Sequence, residues 1–287
     1  MQQTWTDDAL ADTWTLLPDD TALLANKTGA TRLGFAILLK FFQYEGRFPQ
    51  QPREVPLLVV EYVAGQAGVA ADEWTRYDWD GRAIKYHRSQ IREHLGFREP
   101  TGRDTQRLAA WLRSSVLPED RDLEHLKASV GERCRELRIE PPAPDRIDRL
   151  VRSALHAHEE KFCAAVADQL SPVTRTRLDE LLVHARADES PADPAIAVLH
   201  FIKAEPGQAN VESIQQELAK LERLRAIELP LNLFAGVAPQ VLRAYRQRVA
   251  VEESYELRRH PAALRATMLA AFCAVRGPDS MKRLASC

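Results

Sequence analysis

Apolar residues recur at three- and four-residue spacing along most of the chain, and that period predicts helices. Over 30–44, Leu33, Ile37, Leu38 and Phe41 share one face until Gly46 and Pro49 interrupt it. Over 55–67, Pro56 suits a first helical turn, where its missing N–H costs nothing. Leu58, Val59, Tyr62 and Val63 then face inward, and Gly65 and Gly68 close the helix. A linking stretch follows at 74–81, with Trp74, Tyr77 and Trp79 set among Asp78 and Asp80. The next helix, 82–95, puts Ile84, His87 or Arg88, Ile91 and Leu95 on its apolar side, with Gly96 placed to cap its end. A further amphipathic helix over 104–114 has Leu108, Trp111 and Leu112 as its apolar side.

The pattern stays helical downstream. Glu140-Pro141-Pro142-Ala143-Pro144 is the clearest linker, and Asp145 is placed to cap a long helix behind it. Ile147, Leu150, Val151, Ala154, Leu155, Phe162 and Val166 form that helix's stripe. Ser171-Pro172 and Asp193-Pro194 each pair a cap with a first-turn proline, the second opening a helix that runs from Ile196 to Ile202. Pro206-Gly207 breaks it, and Asn210 caps the next helix, with Val211, Ile214, Leu218, Leu221 and Leu224 near the spacing of a coiled-coil seam. That seam is short, and packing within a helical bundle accounts for it better than a coiled coil. Two more helices fit Pro239 to Arg248 and Pro261 to Val275. The sequence predicts an all-α protein without internal repeats.

Composition changes this picture little. Of 287 residues, 45% are hydrophobic and 28% charged, enough to fill a core. The cysteines, Cys134, Cys163, Cys273 and Cys287, are widely spaced and form no CxxC pair, so reduced thiols of an intracellular protein are expected. No basic, apolar leader and no membrane-length apolar run are present in the sequence, and a soluble, cytoplasmic location follows as the expectation.

Charge does change it. The formal net charge is −2, so affinity for a polyanion must come from a local cluster. Residues 82–113 hold eight Lys and Arg against three acids, whereas residues 1–80 hold six against twelve. A helix-turn-helix module presenting one basic helix to DNA has this polarity: Arg reaches guanine edges, Gln reads adenine, and Lys holds phosphates. A solvated face whose arginines pair with nearby acids has it too, and charge alone does not separate the two.

Enzyme chemistry finds less support. The sequence has no phosphate-binding GxxxxGK[ST] loop, no GxGxxG, and no nucleophile elbow around Ser89 or Ser114. His156 and His158 stand two residues apart, which places them about 200° apart around a helix and spoils joint metal binding. Paired acids such as Asp7-Asp8, Asp19-Asp20 and Glu252-Glu253 are explained by helix N-termini and solvent. No metal ligand, cofactor or catalytic residue is assigned.

Several blocks, taken in order, resemble a known family. They are Leu24-Ala25-Asn26-Lys27-Thr28-Gly29-Ala30-Thr31-Arg32-Leu33-Gly34-Phe35 with its continuation to Pro49; Tyr77-Asp78-Trp79-Asp80-Gly81-Arg82; and His87 through Arg98. Lys220 to Leu224, Leu229 to Phe234, and Glu256 through Cys273 complete them. Together they resemble the N-terminal region of the Tn-three family of replicative transposases. The resemblance implies a dimeric DNA transposase whose helical N-terminal domains recognise terminal inverted repeats. It also implies an RNase H-like core with three metal-binding acids farther along, none of which can be placed here. After Arg276, the stretch 277–287 departs from the family's pattern, and on this reading the catalytic core is absent.

The expected organisation is therefore a helix-turn-helix-like module at 1–68, a second with the basic helix at 69–140, a helical linking region at 145–276 and a divergent tail at 277–287. The expected partner is double-stranded DNA carrying terminal inverted repeats, along with a second copy or a full-length transposase. Lys85, Arg88, Gln90 and Arg92 are the leading contacts, Arg82 belongs to the same basic helix, and Arg98, Arg103 and Arg107 are phosphate candidates. In the first module Lys27, Thr28, Arg32 and Lys40 are candidates, with plain capping and solvent exposure as the alternative. A second reading is a helical interaction fragment that pairs with a full-length transposase and inhibits it, the seam from Ile214 to Leu224 serving as its surface.

Overall fold

The helical period of the sequence becomes helix along nearly all of the chain. The computed structural model describes residues 5–182, 198–205 and 211–286, with side chains described as far as Gly277. In order, the helices are α1 (Asp7–Trp14), α2 (Pro18–Ala22), α3 (Gly29–Glu45), α4 (Leu57–Ala67), α5 (Glu73–Arg76), α6 (Arg82–His94), α7 (Gly102–Trp111), α8 (Leu123–Glu136) and α9 (Pro144–Gln169). They continue as α10 (Pro172–Glu180), α11 (Val198–Lys203), α12 (Val211–Arg225), α13 (Pro239–Val251), α14 (Ser254–Arg259) and α15 (Ala262–Ser286). Among the described residues the only extended pairing is an isolated parallel bridge between Arg98 and Ile139, so the protein is all-α. The chain divides into two units: residues 1–109 with 126–151, and residues 110–125 with 152–287.

Unit 1 is built around α3, whose residues 33–42 are buried on every side. A helix that is apolar all round must be surrounded, and α3 packs against α1, α4, α5 and α6. Gly34 is required where Tyr77 crosses it, since a Cβ there would lie 2.3 Å from the Tyr77 ring. Trp74 and Tyr77, read from sequence as part of a linking stretch, are core residues. Helix α4 is rotated from the predicted face: Val59, Val60, Val63, Ala64 and Ala67 are buried, while Leu58 is exposed. Its apolar positions are nearly continuous, so periodicity left the rotation open. The predicted linker at 140–144 is tied down, because Glu140 N–H donates to Arg98 O at 2.8 Å and Pro141 is buried. Helix α9 begins at Pro144, which puts Asp145 inside the first turn rather than at the cap.

Unit 2 centres on α15, which packs against α10, α12 and α13 and buries residues 266–273. Ser171 Oγ accepts from Thr174 N–H at 3.0 Å, the predicted cap in front of Pro172. The α12 seam is split: Leu221 and Leu224 are buried, whereas Val211, Ile214 and Leu218 are exposed. Helix α7 gives way to a π-helical turn, Leu112–Val116, which straddles the predicted end at 114. Asp193-Pro194, Ile196, Pro206-Gly207 and Asn210 lie outside the described residues. The α15 backbone continues through the predicted tail to Ser286.

Charge is also buried in unit 2. Lys220 Nζ lies 2.7 Å from Glu217 Oε1, and Arg276 Nη2 lies 3.5 Å from the same oxygen. Lys220 Nζ donates to Ala204 O, and Arg276 donates to Ile202 O and Ala204 O. Two cations thus close the carbonyl end of α11, where the helix dipole favours them.

Candidate nucleic-acid interface

Helix α6 is amphipathic in a way that separates its residues by role. Ile84, His87 and Ile91 are buried against unit 1's core. The Tyr77 hydroxyl and His87 Nδ1 are hydrogen-bonded at 2.8 Å, and Phe35 meets the imidazole edge-on. Burial, with a smaller push from Lys27, lowers the His87 pKa to about 4, so the ring is neutral at ordinary pH. The remaining faces carry Arg82, Lys85, Tyr86 and Ser89, all exposed.

The outward side of α6 forms one wall of an open groove of about 740 Å³. Lys85, Arg88, Ser89 and Arg92 line it from α6, and Arg146 and Arg149 from the start of α9. Its acids are Glu99, Glu140 and Asp145. On α6 the groove is lined from Lys85 to Arg92, which stands in the last turn, while Arg82 at the N-terminus lies outside it. On α9, Arg146 and Arg149 follow Asp145, an acid in the first turn, where the dipole favours it.

The predicted contacts divide by what already holds them. Lys85 is exposed and has no hydrogen-bond or ion-pair partner among the described residues, and the same holds for Arg82, Arg103 and Arg107. Arg103 and Arg107 lie one turn apart on α7 and do not line the groove. Arg88 is half-buried: Nη2 donates to Pro49 O at 2.9 Å, the guanidinium lies over Phe48, and Nε has no partner among the described residues. Arg92 Nη1 donates to Glu140 Oε2 at 2.6 Å. Gln90 is turned to Tyr86, donating to its hydroxyl at 3.2 Å. Arg98 makes a bidentate pair with Asp104, 2.7 Å on each arm. That pairing and the Thr101 hydroxyl hold the Asp104 carboxyl far below the usual carboxylate range.

The first-module candidates are tied into the fold. Lys27 is buried and donates to Leu23 O at 2.8 Å and Asn26 Oδ1 at 2.9 Å, and its ammonium lies over Phe35. Lys40 is buried 3.5 Å from Asp20, which also accepts from Gln43. Arg32 donates to Ala67 O and Leu24 O, both at 2.7 Å. Thr28 is the N-cap residue of α3. Arg146, Arg149, Tyr86 and Ser89 are not among the residues that sequence reasoning singles out. The signal for the two arginines is present, since they stand three apart at the opening of a predicted helix, but it is overshadowed by that helix's apolar stripe.

His156 is exposed and sits 3.3 Å from Glu160, and among the described residues no cluster of three or more metal-ligating side chains forms. No helix among them is long and apolar enough to cross a membrane.

Residues 1–154, which include all of unit 1 and the whole groove, match a family described as a domain of unknown function, DUF4158. The chain belongs to the DUF4158 family. The DUF4158 chain is also similar to transposases, as the sequence blocks implied. It is 27% identical to the transposase of transposon Tn3926 from Escherichia coli, over 82% of this chain and 23% of that protein. It is 26% identical to the transposase of Tn501 from Pseudomonas aeruginosa, over 78% of this chain and 22% of the other. For the transposase of Tn1546 from Enterococcus faecium the identity is 24%, over 69% and 20%. The DUF4158 chain therefore spans about a fifth of the length of these relatives.

Proposed function

We propose that this chain is a DNA-binding portion of a transposase that recognises terminal inverted repeats. Helix α6 is the element presented to the duplex, within the second of two helix-turn-helix-like modules. The observation that carries this reading is the groove, where cations from α6 and from the start of α9 converge and Lys85 and Arg146 have no anion of their own among the described residues. Similarity to transposases supplies the partner class. Lys85, Arg146 and Arg149 are the phosphate contacts on this reading, Tyr86 and Ser89 join α6's outward face, and Arg82, Arg103 and Arg107 extend the contact surface beyond the groove.

The test is a duplex selected from a randomised pool, compared with its scrambled counterpart across a salt series. The chain prefers the selected duplex, and log affinity falls linearly with log salt. Lys85→Ala with Arg146→Ala lowers affinity and reduces the slope by roughly 0.9 for each phosphate no longer neutralised. Unchanged affinity and slope in a folded variant refute the groove. Lys85 and Arg146 are the cleaner targets, because Arg88 and Arg92 also hold parts of the fold together.

The second reading, an interaction fragment that inhibits a full-length transposase, rests on the exposed α12 stripe of Val211, Ile214 and Leu218. Under it, the chain has no meaningful DNA binding of its own, and Ile214→Asp with Leu218→Asp abolishes co-purification with the full-length enzyme.

A further inference from the structure

Arg92 is the one groove arginine whose guanidinium is occupied by two acids, and the backbone puts both of them there. Arg98 N–H donates to Arg138 O at 3.0 Å and Glu140 N–H to Arg98 O at 2.8 Å, which makes the isolated bridge. The bridge sets Glu99 and Glu140, each next in sequence to a bridge residue, at the edge of α6. Arg92 Nη1 then meets Glu140 Oε2 at 2.6 Å, and Nη2 lies 3.6 Å from Glu99 Oε2. The Arg92 and Glu140 side chains are 14% and 16% exposed, whereas Glu99 is 75% exposed. The pair ties the end of α6 to the segment at 140, but that tie does not require a charge. A half-desolvated ion pair gains little over apolar neighbours of the same size, and a second acid aimed at the same guanidinium adds only repulsion between the carboxylates. Two carboxylate oxygens around a guanidinium fork do have one clear equivalent, the oxygens of a phosphodiester.

We infer that Glu140, seconded by Glu99, is an internal phosphate mimic that sets the specificity of the groove. This inference rests on the groove binding duplex DNA. On a duplex of arbitrary sequence the acids keep Arg92 neutralised, so the groove engages with fewer effective cations and general backbone affinity stays low. A preferred duplex, whose backbone shape brings a phosphate to Arg92, displaces the carboxylates and recovers the contact. The acids thus subtract affinity mainly from the wrong sites, which is how unpaired or repelling charge confers selectivity.

The experiment measures binding of the selected and scrambled duplexes to the full chain and to Glu140→Gln, across a salt series. Glutamine keeps an acceptor for Arg92 while removing the charge. Affinity for the scrambled duplex is expected to rise about tenfold, with the salt slope steepened by roughly 0.9 for the one cation released. Affinity for the selected duplex rises less, so the ratio between them falls. Glu99→Gln, a change at an exposed side chain with no consequence for folding, moves the scrambled duplex the same way by about threefold. Equal gains on both duplexes overturn the specificity role, and so do unchanged affinities in both variants while the parent chain binds. A parent chain that binds neither duplex is a different result and refutes the groove itself. If Glu140→Gln fails to fold, Glu99→Gln decides between the outcomes alone.

Discussion

Two sets of cations in this chain stand in opposite situations. In unit 2, Lys220 and Arg276 are buried and meet Glu217 together with the carbonyls at the end of α11. In unit 1, Arg82, Lys85, Arg103 and Arg107 face solvent, with no partner among the described residues. The residue types are the same. What differs is whether the chain supplies the anion. Where it does, the cation is part of the fold, and removing either side leaves a buried charge uncompensated. Where it does not, the cation costs the fold almost nothing and is available to an anion from outside. The groove arginines lie between these extremes, since Arg88 and Arg92 carry structural bonds and still face open space.

The most forceful way to break the comparison is at Glu217. Glu217 pairs with both cations of the buried cluster, so Glu217→Gln removes a counter-charge that Lys220 and Arg276 share. Breaking a buried pair from one side costs about 3–5 kcal/mol. The loss appears as a lowered midpoint in far-UV circular dichroism of denaturant unfolding. Tryptophan fluorescence is expected to move less, because Trp5, Trp14, Trp74 and Trp79 belong to unit 1 and only Trp111 to unit 2. An unchanged circular dichroism transition would falsify the structural role of the cluster.

Unit 1 handles a titratable group at its core differently: it keeps His87 neutral. The folded pKa of about 4 lies below the ordinary 6.5, so the unfolded chain binds the extra proton first as pH falls. Stability is therefore intact above about 6.5 and declines through the window down to about 4. The full effect is on the order of 3 kcal/mol. Denaturation midpoints followed by tryptophan fluorescence should fall across that window in the parent chain, and the fall should be smaller in His87→Gln. Parallel pH profiles for the two would show that some other group carries the acid sensitivity.

How much of this was legible in sequence depended on the length of each signal. The long helices were readable, because several turns of apolar residues at one period leave little choice, as in α3, α6 and the start of α9. Short helices were not: α2 and α5 last barely more than a turn, too brief for periodicity, and only packing on α3 makes Trp74 and Tyr77 core residues. Continuous apolar runs gave the helix but not its rotation, which is why Leu58 points outward. For the site, composition located the basic helix and could not sort its members. Arg98 looked like Arg103 until Asp104 was seen to hold it, and Lys40 looked available until Asp20 was found beside it. Partners that lie 20 or 48 residues away, as for Lys40 with Asp20 and Arg92 with Glu140, leave no mark in a local window.

The smallest expected effect is the one that sharpens the comparison most. If Arg82, Lys85, Arg103 and Arg107 owe nothing to the fold, replacing all of them with alanine should shift unfolding free energy by no more than about 0.5 kcal/mol. Even the sign of that shift follows from position. Arg82 sits in the first turn of α6, where the helix dipole opposes it, and alanine has the higher helix propensity. The quadruple variant is thus expected to be as stable as the parent chain or slightly more so, by a few tenths of a kcal/mol. Added salt screens the same unfavourable interaction in the parent chain, so the small gain should shrink as ionic strength rises. DNA affinity should fall in that same variant, since these cations have no internal anion among the described residues. A variant that loses several kcal/mol of stability instead would mean that these side chains are structural, like Lys220 and Arg276, and the distinction between the two sets of cations would not hold.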